Sequence, residues 1–138
     1  RAELKVDCRV PPGLGEAEVR RAIEEVLGPE DGFRVTFDEQ VVGNASPLGS
    51  RLRESINAWI MNQDPGALTV PLILPGFTDS RHFRAAFPDC VAYGFFPQMF
   101  QSRFDTAPLV HSANERIDVR DLGFAATFYR DVAVDLLG

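Results

Sequence analysis

Apolar and polar positions follow two different periods along the chain. Leu4, Val6, Cys8 and Val10 take every second place in the opening segment, with Lys5, Asp7 and Arg9 between them, and Pro11-Pro12-Gly13 closes the run. A period of two ended by a turn predicts a half-buried strand, with Arg9 on the face opposite Val6, Cys8 and Val10. From Glu16 to Leu27 the period changes: Ala17, Val19, Ala22, Ile23, Val26 and Leu27 recur at helical spacing, and Gly28-Pro29 is a stop signal. Phe33, Val35 and Phe37 then alternate with Arg34, Thr36 and Asp38 after the Asp31-Gly32 turn, so the first forty residues or so are expected to form a β-α-β unit.

Val42 to Pro47 interrupts the pattern, and a domain boundary is expected near residue 44, dividing the chain into 1–43 and 44–138. Leu48, Leu52, Ile56, Trp59 and Ile60 predict a helix ending near Asn62. Ala67 to Leu74 is almost continuously apolar up to Pro75-Gly76, as in a strand buried on both faces of a mostly parallel sheet. Val91 to Phe95 reads as a second short buried strand, after a short helix between Ser80 and Ala86. Beyond Asp118, a plausible N-cap, the apolar residues from Val119 to Leu137 form a broad helical stripe, expected to pack on the sheet. The fold class these segments imply is α/β. The irregular stretch from Pro97 to Glu115 exceeds the usual loop length and is either functional or poorly ordered.

Composition narrows the partners. The 138 residues, 45% hydrophobic and 25% charged, are enough for one core. Twenty acidic against fourteen basic side chains give a net charge of -6, so neither nucleic acid nor an anionic membrane surface is expected as a partner. No apolar run approaches the roughly 18 residues of a spanning helix, and no signal peptide is visible. Starting at Arg1 inside an expected strand, the chain suggests a fold whose natural beginning lies upstream or was removed. Cys8 and Cys90 fall in expected buried strands, where thiols are more often inert core residues than a disulfide or metal pair; this favours a reducing, cytoplasmic compartment.

Three polar clusters are expected at the C-terminal ends of strands, where open α/β sheets place ligands. They are Arg9, the segment from Pro75 to Arg81, and the segment from His111 to Arg116. His111 is a competent zinc ligand or general base, although a lone loop histidine is more often an ordinary surface residue. Asp79 and Arg81 read best as a structural ion pair or as the N-cap of the short helix. Gly76 either admits a substrate to the backbone or only makes the turn. His82 has no partner pattern. A hydrolytic zinc site needs three or more ligands and a water, and outside His111 to Arg116 the chain has no H-x-D, H-E-x-x-H or C-x-x-C arrangement.

In order, V-D-C-R-V-P-P-G, L-I-L-P-G-F-T-D-S-R-H-F-R, A-Y-G-F-F-P and P-L-V-H-S-A-N-E-R-I-D-V-R-D-L, followed by the F-Y-R helix, resemble the C-terminal portion of the dizinc peptidases and amidohydrolases. That family contains aminoacylase, acetylornithine deacetylase, succinyl-diaminopimelate desuccinylase and bacterial glutamate carboxypeptidase. The resemblance spans essentially the whole chain. It implies the last β-α-β of a lid or dimerisation domain up to about Val42, then the returning segment of a catalytic α/β domain. It also implies zinc, two ions per complete active site, with cobalt or manganese as alternatives. By similarity His111 is the family's last metal ligand, Arg9 the lid arginine that clamps the substrate carboxylate, and Gly76 a backbone contact to substrate. Asp79 and Arg81 match the T-D-x-R turn that supports the site from behind.

The family's bridging aspartate, glutamate base, remaining ligands and lid histidine have no counterpart in this chain. The implied mechanism, zinc-polarised attack of water on an amide carbonyl, would belong to a complete protein, and the chain alone is expected to be inactive. The first hypothesis is therefore part of a hydrolase of N-acyl amino acids or small peptides, acting as a homodimer through the lid. The second is a catalytically incomplete binding or dimerisation module.

Overall fold

A computed structural model describes residues 1–38, 42–74 and 76–138. Its helices are α1 (Glu16–Leu27), α2 (Arg51–Gln63), α3 (Ser80–Ala86), α4 (Arg103–Thr106), which runs into a 3₁₀ turn over Ala107–Leu109, and α5 (Val119–Leu137). The chain divides into two compact units, the first from residues 1–46 and 71–92, the second from 47–70 and 93–138.

The expected α/β class is overturned: among the described residues there is no strand and no sheet. The segments 4–10, 33–38, 67–74 and 91–95 are extended or irregular. Alternation and apolar runs favour a strand only when a neighbouring segment completes the hydrogen-bond ladder and covers the side chains. No backbone hydrogen bond among the described residues joins one of these segments to another. Their side chains are correspondingly open: Leu4 is 85% exposed, Leu68 89% and Leu72 90%. Cys8, expected in a core, is exposed, and Cys90 is half-buried, both as free thiols.

The helical readings fare better because a helix satisfies its own backbone. In the first unit α1 begins where Glu18 Oε2 accepts from the Gly15 amide at 3.0 Å, which holds the Glu18 carboxyl below its ordinary range. It ends at Gly28, whose φ of 77° is the left-handed conformation glycine adopts without cost. None of its residues is buried. Arg84 organises the remainder of this unit. Its guanidinium donates to Asn44 Oδ1 (2.8 Å), to the carbonyl of Ala92 (3.0 Å) and to Ser80 Oγ (3.2 Å), and Ser46 Oγ donates to Ala92 O (3.0 Å) while accepting from its amide (2.9 Å).

The second unit holds the apolar core. Ser50 caps α2 by accepting from Arg53 N at 3.2 Å, and Asp118 caps α5 by accepting from Arg120 N at 2.8 Å. The Arg120 guanidinium and amide hold the Asp118 carboxyl down at about 2. Where packing on a sheet was expected, α5 packs on α2: Ile56 and Trp59 are buried against Phe128 and Val132, with Leu52, Ile60, Tyr93, Phe95, Phe124 and Leu136 around them. Trp59 meets Phe124 and Phe128 edge-on at 5.0 and 5.1 Å, the geometry that ring quadrupoles prefer.

Candidate functional site

Arg9 and Gly76, both in the first unit, come together. A Cβ built on Gly76 would stand 3.9 Å from Arg9 Nη1, so the guanidinium reaches the open side of this glycine. Closeness to Arg9 is what marks the position. The Gly76 amide donates to Leu74 O at 2.8 Å. Arg9 is oriented by Asp7, whose Oδ2 accepts from Nη2 at 2.6 Å and from Nε at 2.9 Å. In the extended segment, residues two apart share a side. The Nε and Nη2 donors of the fork are thus engaged by the carboxylate of Asp7, the kind of group that a guanidinium fork suits.

Asp79 precedes α3 but its side chain makes no cap bond. Arg81 lies over the Phe77 ring at 4.4 Å and donates from Nε to His82 Nε2 at 3.3 Å. No ion pair joins Asp79 and Arg81 among the described residues, so neither an N-cap bond nor a salt bridge holds this turn; the amides of Arg81 and His82 donate to Thr78 O at 3.1 Å and Asp79 O at 3.0 Å, and Arg81 adds a cation over a ring. Pro75, the first residue of the expected P-G-F-T-D-S-R cluster, lies outside the described residues.

His111 belongs to the second unit and is exposed. It follows the 3₁₀ turn and has φ 60°, a left-handed conformation uncommon outside glycine and enriched for histidine and asparagine. The amide of Ser112 donates to Leu109 O at 3.0 Å and that of Glu115 to Ser112 O, so successive turns fix the backbone around it. Asn114 has φ 67°. Backbone outliers of this kind concentrate at functional sites. Among the described residues no three His, Cys, Asp or Glu side chains gather closely enough to hold a metal ion. A zinc centre needs at least three protein ligands, so one that included His111 would draw the others from beyond the described residues.

Nothing matches. No family model, curated protein or solved structure is matched by this chain.

Two features escaped the sequence reading. The first is an open apolar groove of about 590 Å³ along α1, lined by Cys8, Val10, Leu14, Val19, Ile23 and Leu27 among others. The second is Asp121, 0% exposed, whose carboxylate accepts from three backbone amides. A signal for it exists: Asp121, Ala125, Phe128 and Val132 are the buried residues of α5 and recur at helical spacing, which puts a carboxylate on the buried stripe. Such a group persists only with its hydrogen bonds made. No helix among the described residues is long and apolar enough to cross a membrane.

Proposed function

We propose that this chain supplies the carboxylate-recognising side of a hydrolase that cleaves the amide bond of N-acyl amino acids or small peptides. Arg9 clamps the substrate carboxylate, the Gly76 backbone lies beside it, and Asp79 and Arg81 shape the turn that carries Gly76. His111 is one metal ligand in this reading, and residues outside this chain supply the others. The observation that carries it is the approach of Arg9 Nη1 to Gly76, 3.9 Å from where a Cβ would stand; these two positions, far apart in sequence, are ones that the resemblance places against the substrate. The strained backbone of His111 is a second support, and the two free thiols agree with a cytoplasmic setting.

The test uses a polypeptide that combines this chain with the remaining ligands. Arg9→Glu should raise KM for substrates bearing a free carboxylate and leave carboxylate-free analogues nearly unaffected; equal effects on both would remove Arg9 from substrate recognition. His111→Ala should lower bound zinc and nearly abolish turnover. Full activity with unchanged zinc would exclude the ligand role.

A second reading, an assembly module, is favoured by the groove along α1, where Leu14, Val26 and Leu27 are 38%, 81% and 59% exposed. A second copy of the chain is the occupant this reading names, and sedimentation without zinc tests it: a monomer at all concentrations counts against it.

A further inference from the structure

We propose that Asp121 is a positioning residue: it fixes where the loop between Gln101 and Asp118 leaves and rejoins the start of α5, and so where His111 is presented. The functional weight of that placement rests on the reading of His111 given above. Asp121 Oδ1 accepts from Met99 N at 2.6 Å and from Phe100 N at 2.9 Å, and Oδ2 accepts from Gln101 N at 3.0 Å. Three successive amides converging on one anion form the concave backbone arrangement known from phosphate sites, filled here by the protein's own carboxylate. Because Asp121 is 0% exposed, water cannot replace these donors, and the contact holds only if residues 99–101 stay wrapped around it. Gln101 Oε1 then accepts from Asp118 N at 3.1 Å, and Arg120 lies over the Phe100 ring at 4.6 Å. Both stems of the loop are thus fastened at one place. Between them α4, the 3₁₀ turn and the turns around His111 are joined by short-range bonds, so the loop follows its stems.

Amide exchange and histidine ring signals, followed by NMR on the full chain without metal, test this apart from any ligand role. The chain has two histidines, and His82, in the first unit, serves as internal reference. Asp121→Asn keeps the shape but turns a donor toward one of the three amides. It should speed exchange at Met99, Phe100, Gln101 and the loop by about tenfold, the worth of one charge-assisted hydrogen bond, and move the His111 signal toward that of an unstructured histidine. His82 and the amides of α2 should stay as they were. An unmoved His111 signal, or an equal rise across α2, would overturn the proposal. Should Asp121→Asn fail to fold, Gln101→Ala, which removes only the acceptor for Asp118 N, should loosen the same loop to a smaller degree; an unchanged loop would again overturn it.

Discussion

The indole Nε1 of Trp59 donates to Asp131 Oδ2 at 3.0 Å, a polar link from α2 to α5 beside the apolar contact of Trp59 with Phe128. Through that bond, helped by Arg130, the Asp131 carboxyl is held below its ordinary range. A carboxyl depressed in the folded state contributes stability that is complete above the unfolded value near 4 and is lost as pH falls through the folded value. Trp59 is the single tryptophan, so its fluorescence reports on the contact. It should stay constant from pH 7 to about 5 and change only below about 4. Asp131→Asn should flatten that acid-side change, and an identical profile in the variant would separate Trp59 emission from Asp131.

The replacement of a sheet by a helix pair makes opposite predictions for two apolar residues. Phe128, 2% exposed, should cost about 3–5 kcal/mol as Phe128→Ala, because the ring leaves a cavity against Trp59 and Phe95. Leu72, 90% exposed, should change stability by no more than about 0.5 kcal/mol as Leu72→Ser. Urea midpoints measure both. A large loss at Leu72 would mean that it is buried and would restore a covered strand over residues 67–74.

The backbone at His111 is testable without any ligand. At φ 60° a side chain costs about 1–2 kcal/mol relative to glycine, and a β-branched one is the least tolerated, so His111→Val should be less stable than His111→Gly by at least that order, with the parent between them. Equal midpoints for valine and glycine would show that the left-handed conformation is absent in solution.

Much of the helical content was legible. The expected helix from Glu16 to Leu27 has the observed limits, and Asp118 caps α5 as expected. Capping and helical period are local: each joins residues three or four apart, and one segment carries the whole signal. The groove along α1 was not legible, since it depends on what covers a face; of the anchor at Asp121 only the place of the carboxylate on the buried stripe was, because its partners depend on where residues 99–101 stand relative to a helix twenty residues later.

The sequence by itself determined α1, α2, α3 and α5, the cap at Asp118 and the candidate residues Arg9, Gly76, Asp79, Arg81 and His111. Only the tertiary structure decided that the extended segments are unpaired, that α5 meets α2, and that residues 71–92 join 1–46 so that Arg9 reaches Gly76. The physical reason is the range of the interactions. A helix closes its hydrogen bonds within itself, whereas a strand, a core or a carboxylate site exists only when distant segments meet, and apolar alternation states a preference for burial without naming the partner.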